Sequence, residues 1–351
     1  MSHGYRMVQW TPFKKAFDLV LAAGVVIFVL AYLAAATLAQ PQGESITPVQ
    51  LLIRASGAAA FALLTLILMI GPLARLSGRF KPLLYNRRHM GVTCFVLALI
   101  HAVLVVIWYH GFAEINALVS LLEANTRYDS ILGFPFESLG LASLAILFLL
   151  AATSHDFWNA NFGPGLWKAI HMLVYWAYAL LVAHIMLGVV QSERGLAYPV
   201  LAGAGGLLVA GLHLFAGWRE RARDLGDARP RENGWIKVGP AVSIADGCAK
   251  IVAPPKSERI AVFRNGARIF ALSNVCQHQG GPLGEGRIID GCVVCPWHGF
   301  QYRPEDGRSP PPFTEKVATY RTRIEAGVVF VHADALPPGT EVAPSVMEAG
   351  A

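Results

Sequence analysis

Charge is scarce in this chain: 15% of its 351 residues are Asp, Glu, Lys or Arg, against 54% hydrophobic. An average soluble domain carries about 25% charge, so a wholly soluble globule is excluded and membrane spans are expected. Cysteine is scarce too, with Cys94, Cys248, Cys276, Cys292 and Cys295 forming no even-numbered framework, which excludes a disulfide scaffold. No G-x-G-x-x-G follows residue 217, so a dinucleotide-binding turn is not expected there. The net charge of +6 is not read as a nucleic-acid footprint. Its basic residues collect at the ends of apolar runs, where membrane topology explains them.

Those runs lie at about 16–39, 50–76, 88–110, 138–154, 167–190 and 196–217. Most reach the ~20 residues that a helix needs to cross a bilayer, and the fourth is the shortest. The first run follows Lys14 and Lys15 and ends in Thr37-Leu38-Ala39, which resembles a cleavage site. Its apolar stretch is longer than the ~7–15 residues of a signal-peptide core, so it is read as a retained helix. Arg6, Lys14 and Lys15 precede the first run. Arg75, Arg79, Lys81, Arg87 and Arg88 join the second to the third, and Arg219, Arg221 and Arg223 follow the sixth. The loop after the third run carries Glu114, Glu123, Asp129 and Glu137 instead. The positive-inside rule then predicts six spans with both termini in the cytoplasm. Trp108 and Tyr109 stand where an outer aromatic belt is expected.

Residues 219–234 are charged without apolar periodicity and read as a juxtamembrane linker, whose arginines can touch anionic lipid heads. From Trp235 to 333 the pattern becomes short alternating strands, including Arg259–Phe263, Ala267–Leu272, Cys292–Cys295 and Val328–Val331, with Asn265-Gly266 as a hairpin signal. Residues 334–351 are rich in Pro, Gly and Ala and are expected to be disordered. The fold class expected is therefore multi-domain: a six-helix transmembrane bundle (1–218), a linker, and a small all-β domain (235–333).

Within the β region, Cys276-Gln277-His278 is followed by Cys295-Pro296-Trp297-His298. Zinc accepts such ligands. Each pair, however, ends a strand and enters a Gly/Pro loop, and two facing loops can enclose a two-iron cluster. Two thiolates would hold one iron and two imidazoles the other, which raises the potential relative to four thiolates. Cys292, at odd spacing from Cys295 on a strand, is read as packing.

The stretch Ala271–Tyr302 resembles Rieske ferredoxins and the Rieske domains of ring-hydroxylating oxygenases. That resemblance implies a [2Fe–2S] cluster on Cys276, His278, Cys295 and His298. The Rieske subunits of respiratory bc complexes carry an extra inter-loop disulfide, where this chain has Gly281 and Trp297. They also carry a Ser donor to a cluster sulfide, where this chain has Phe300, and a second donor where it has Tyr302. Fewer donors imply a potential toward the lower part of the range of about −150 to +300 mV. No mononuclear-iron domain is recognised, so the chain is not expected to hydroxylate rings itself.

The apolar runs contain His101, His171, His184 and His213, and intramembrane ionisable residues mark functional sites. Several in one bundle favour heme, whose iron takes axial imidazoles. His101 lies roughly 20 Å along its helix past Arg88, and His184 roughly 25 Å past Trp167. Those comparable depths allow the two to share one heme near the outer side. His171 lies near the inner end, with His213 or His89 as candidate partners.

Arg87-Arg88-His89-Met90-Gly91 with His101, and Trp167-x3-His171-x2-Val174-Tyr175 with His184, resemble the ferric-reductase transmembrane domain. The likeness is to the heme subunits of bacterial methionine sulfoxide reductases and, more distantly, to NADPH oxidases. It implies b-type heme, one or two, on His101, His171 and His184, and a bacterial inner membrane. The joint expectation is an electron-transfer oxidoreductase. A cytoplasmic reductase or ferredoxin is its donor. A periplasmic reductase, quinone or ferric iron is its acceptor. Two alternatives stand: a redox sensor without net transfer, and a quinol-oxidising module feeding a cytoplasmic oxygenase.

Overall fold

The computed structural model describes residues 12–39, 46–84, 86–112, 114–154, 156–192, 197–227, 232–254, 257–278, 280–297, 299–311 and 313–347. Its contacts divide the chain into two units. One is built on Arg6–Trp158 with Ala169–Leu214, and the other on Phe215–Ala351 with Asn159–Lys168.

The helices are α1 (Pro12–Leu38), α2 (Pro48–Leu76), α3 (Arg87–Val105), α4 (Phe136–Ala152), α5 (Asp156–His171), α6 (Val174–Ser192) and α7 (Ala197–Asp227). α2 starts cleanly. Thr47 accepts from the Gln50 amide, the Gln50 side chain reaches back to the Thr47 amide, and Pro48 opens the first turn. Such a reciprocal cap satisfies donors that the helix start leaves open and contributes about 1 kcal/mol. α3 continues into a wide turn over Val106–His110, where His110 pairs with Ser120 at 3.0 Å.

Among the described residues, five spans are long and apolar enough to cross a membrane: Lys14–Leu38, Pro48–Leu76, Arg87–His110, Leu166–Gly188 and Tyr198–Arg221. The fourth apolar segment forms the 17-residue α4, which falls short of that length. Of the six expected segments, five are thus present among the described residues as long apolar spans and the fourth as a shorter apolar helix. Within the Leu166–Gly188 span the chain makes a turn at Met172 and Leu173, between α5 and α6.

In the helical unit the core joins α2, α3, α4 and α6 through Leu64, Ile67, Cys94, Leu97, Leu147 and Tyr178. Small residues let the backbones approach: Ala55 and Ala177 are fully buried. Tyr178 donates to Thr65, whose own hydroxyl donates to the Phe61 carbonyl. α1 is tied to the rest by the Tyr32–Tyr198 hydroxyl pair at 2.6 Å and by His89 Nδ1 with Asp18 at 2.7 Å.

The charged stretch after Trp218 continues α7 as a helix to Asp227, where an irregular linker was expected. Glu220 on that extension meets Arg259 at 2.9 Å. Beyond it stand β1 (Trp235–Pro240), β2 (Ala249–Val252), β3 (Ile260–Asn265), β4 (Arg268–Ser273), β5 (Arg287–Ile289), β6 (Cys292–Val294), β7 (Gln301–Tyr302), β8 (Thr319–Tyr320), β9 (Thr322–Glu325), β10 (Val328–His332) and β11 (Ser345–Val346). All pairings are antiparallel. One sheet runs β1-β10-β9 and one β11-β4-β3-β2 with β8 on β4. The third, β5-β6-β7, frames the metal motif. Asn265 pairs with Arg268, so the hairpin turn is Gly266-Ala267, one residue beyond the signal read in the sequence.

The C-terminal tail is a second correction. Residues 334–347 are ordered rather than disordered. β11 pairs with β4, the Met347 amide donates to the Ala267 carbonyl at 2.8 Å, and the Met347 side chain packs on the Ile236–Val331 core. Proline and alanine content hid a segment whose few apolar side chains find the open edge of a sheet.

Candidate functional site

In the β unit, β4 leads into Cys276 and β6 into Cys295, and the two loops repeat one hydrogen-bond scheme. The Cys276 amide donates to the Gly281 carbonyl at 2.9 Å, and the Cys295 amide to the Phe300 carbonyl at 2.8 Å. The Cys276 carbonyl accepts from the Gly280 amide, and the Cys295 carbonyl from the Gly299 amide. Gly280 and Gly299 have φ of 71° and 73°, the left-handed region in which glycine is least costly. Each loop therefore closes in five residues on its cysteine. A Cβ on Gly281 would stand 2.8 Å from Cys295 Sγ, so the loops approach too closely for any larger residue at that position.

Cys276 and Cys295 are buried, in a cluster with Leu283, Val293, Phe300 and Tyr302. The Tyr302 hydroxyl accepts from the Gln277 amide at 3.0 Å, which turns its own hydrogen to Cys276 Sγ, 3.4 Å away. Burial and then the neighbouring Cys276 push the Tyr302 phenol well above its ordinary range, so it stays a donor to sulfur. The His278 ring stacks on Phe300, with centroids 5.0 Å apart and planes at 6°. His298 lies outside the described residues. Cys292 pairs with Ile289 across β5 and β6, and burial raises its thiol pKa.

The donor set fits a two-iron cluster. Two buried thiolates on matched loops, a donor to one of them and a stacked imidazole beside them form a mixed Cys/His site.

In the helical unit, His101 Nδ1 donates to the Ile53 carbonyl at 2.9 Å, and His184 Nδ1 to the Phe136 carbonyl at 2.8 Å. Each bond fixes the tautomer and leaves Nε2 with its lone pair, the state an axial ligand needs. Each ring also lies against a glycine of the neighbouring helix. A Cβ on Gly57 would come within 2.9 Å of the His101 ring, and one on Gly140 within 2.8 Å of the His184 ring. These residues fit a heme clamped between two oriented imidazoles.

His171 ends α5, with its Nε2 3.5 Å from Ser154 Oγ. His213 is engaged at both nitrogens. Nδ1 donates to the Val209 carbonyl at 2.9 Å, and Nε2 accepts from the Tyr175 hydroxyl at 3.0 Å. His89 is turned to Asp18 on α1. Sequence reasoning missed Gly57, Gly140 and the carbonyls of Ile53 and Phe136. Their signal is a matched spacing: in both pairs the histidine lies 48 residues past its carbonyl partner.

The comparisons agree with this division. The family model described as ferric reductase like transmembrane component matches residues 56–182, and the Rieske [2Fe-2S] domain model matches 234–321. The protein-methionine-sulfoxide reductase heme-binding subunit MsrQ of Bordetella pertussis is 30% identical over 179 residues, which are 51% of this chain and 81% of that protein. The anthranilate 1,2-dioxygenase ferredoxin subunit of Burkholderia cepacia is 42% identical over 74 residues, 21% of this chain and 68% of that protein. A solved complex of oxygenase and ferredoxin in carbazole 1,9a-dioxygenase aligns at 24% identity with a TM-score of 0.29, covering 30% of this chain and 99% of that one. The chain is thus a membrane protein that belongs to the ferric-reductase-like family of MsrQ heme-binding subunits and carries a Rieske [2Fe–2S] domain after its helices.

Proposed function

We propose that the chain moves electrons between a cytoplasmic donor and an acceptor in or across the membrane, by way of a Rieske cluster and b-type heme. The observation that carries this reading is the pairing, in one chain, of two preorganised redox sites. In one, Cys276 and Cys295 sit on twin loops with His278 beside them. In the other, His101 and His184 are each held by a backbone carbonyl against a glycine. Cys276 and Cys295 are the thiolate ligands and His278 and His298 the imidazole ligands of the cluster. His101 and His184 would hold one heme, and His171 would hold a second. When bound, these groups supply one-electron chemistry, and the protein supplies position and potential.

The side chains act in defined ways. Tyr302 stabilises negative charge on Cys276 by donating to its sulfur. Phe300 stands where it can offer no such donor, which holds the potential toward the lower part of the Rieske range. The carbonyls of Ile53 and Phe136 raise the basicity of the imidazoles they orient. The arginines and lysines that flank the helices favour a cytoplasmic Rieske domain. Electrons then enter from a soluble reductase or ferredoxin and leave toward a periplasmic reductase, quinone or ferric iron.

Three measurements test this reading. Reduced protein should give an EPR signal with the low average g of mixed Cys/His ligation, and about two irons beyond those of heme. Cys295→Ser should abolish the signal and spare the heme bands, whereas bound zinc without such a signal would refute the cluster. For the heme, His101→Ala and His184→Ala should remove one and the same optical component. Gly57→Leu and Gly140→Leu should weaken that component too, because each new side chain would displace an imidazole; loss of different components would overturn the shared heme. For topology, green fluorescent protein fused after Ala351 should fluoresce and alkaline phosphatase fused there should be inactive. The opposite pattern would reverse the assignment of donor side.

A further inference from the structure

The connection from α3 to α4 keeps an apolar face in the open. After the wide turn over Val106–His110, Asn116 caps a short helix, Ala117–Glu123, by accepting from the Leu118 amide at 2.9 Å. Leu121 is buried on one side of this helix, and Ser120 pairs there with the buried His110. The other side carries Leu118, Val119 and Leu122, with Ile115 just before the cap, at the i, i+3, i+4, i+7 spacing of one helix face. All four are exposed, Leu118 by 56% and Leu122 by 49%. A helix that is apolar both where it meets the protein and where it does not calls for apolar surroundings on every side.

The exposed face continues along the chain in both directions. Ile107, Tyr109 and Phe112 precede it and Tyr128 and Ile131 follow it, all of them exposed. Ile107 and Tyr109 belong to the Arg87–His110 span, whose outer surface a membrane covers. Two further observations say what covers the rest. First, α4 has 17 residues and rises roughly 25 Å, short of the ~30 Å hydrocarbon core of a bilayer. The shortfall is met by the apolar chain that leads into Phe136, through Ile131, Phe134 and Pro135. Second, the irregular backbone there is satisfied from within, as chain at membrane depth must be. The Arg127 amide donates to the Gly133 carbonyl at 2.9 Å, and the Gly133 amide to the Ser130 carbonyl at 3.2 Å. Gln191 on α6 donates its side-chain amide to the carbonyls of Ile131 and Phe134, at 2.9 and 3.0 Å. A loop in water leaves such carbonyls to the solvent, whereas here another helix supplies their donor.

We infer that the face formed by Phe112, Ile115, Leu118, Val119, Leu122 and Ile131 is seated in lipid, at the boundary between headgroups and acyl chains. The leaflet is the one at this end of the helices, the outer one in the topology proposed above. Glu114, Glu123 and Asp129 on the same connection are exposed, and their carboxylates fix the depth. They stay in water, so the segment lies along the interface and does not sink into the core. Their sign means that apolar contact, and not attraction to anionic headgroups, holds the segment in place. Phe136, whose carbonyl orients His184, is thereby kept at a lipid boundary.

The test uses the full-length protein with its cofactors in nanodiscs of phosphatidylcholine. One measurement photolyses a phosphatidylcholine that carries a diazirine on its acyl chain near the glycerol, and maps the adducts by peptide mass spectrometry. Adducts are expected on Leu118–Leu122 as well as on Ile107, which serves as the reference for a lipid-facing residue. The other applies a charged, water-soluble maleimide and reads labelling at one introduced cysteine. Leu118→Cys and Leu122→Cys should react about tenfold or more slowly than Glu123→Cys, because a thiol must ionise to react and lipid suppresses that. If they react as fast as Glu123→Cys, the face stands in water, open to a protein partner, and the inference is overturned. If the variants fail to fold, the unmodified protein decides alone: adducts on Leu118–Leu122 support the lipid seat, and their absence while Ile107 is labelled overturns it.

Discussion

The membrane half of this protein depends on one constraint: an imidazole must be held in a chosen tautomer inside a medium that offers no water to satisfy it. A buried ring with an unpaired N–H costs free energy, and an unoriented ring is a poor ligand. His101 and His184 meet both demands with backbone carbonyls one helix away. That solution in turn forces Gly57 and Gly140, because the rings occupy the volume that any Cβ would fill. Close approach of α2 to α3 and of α4 to α6 follows from the same small residues, and the buried stripe of Leu64, Cys94, Leu97, Leu147 and Tyr178 packs around it.

The β unit obeys the same logic with different parts. Two loops of matched hydrogen bonding present one cysteine each, and left-handed glycines close both turns. Gly281 lets the loops touch, so the fold excludes the larger residue that an inter-loop disulfide would require. Preorganisation of this kind limits the reorganisation that accompanies gain or loss of an electron, which suits a carrier rather than a site of bond making.

Much of this was legible in the sequence, and the reasons differ by region. The cluster motif is local: Cys276 to His278 and Cys295 to His298 each sit within four residues, so spacing alone announces them. The membrane segments are legible because composition reports on solvent. What escaped was non-local or marginal. The α4 segment is apolar enough but short. The charged continuation of α7 has no apolar periodicity, and its contact with Arg259 through Glu220 lies 39 positions away. The tail looked disordered because its order comes from pairing with β4, far away in the chain. Gly57 and Gly140 look like ordinary membrane glycines until their 83-position offset is set beside that of the histidines.

The central claim is that the cluster and the heme belong to one electron path. Its most direct test is the anaerobic reduction of the full chain in lipid nanodiscs by a reduced soluble ferredoxin, followed at the cluster and heme bands by stopped flow. The cluster should reduce first and the heme should follow from it, and Cys295→Ser should abolish heme reduction while leaving the heme reducible by dithionite. Heme reduction by the ferredoxin at an unchanged rate in Cys295→Ser would contradict the account.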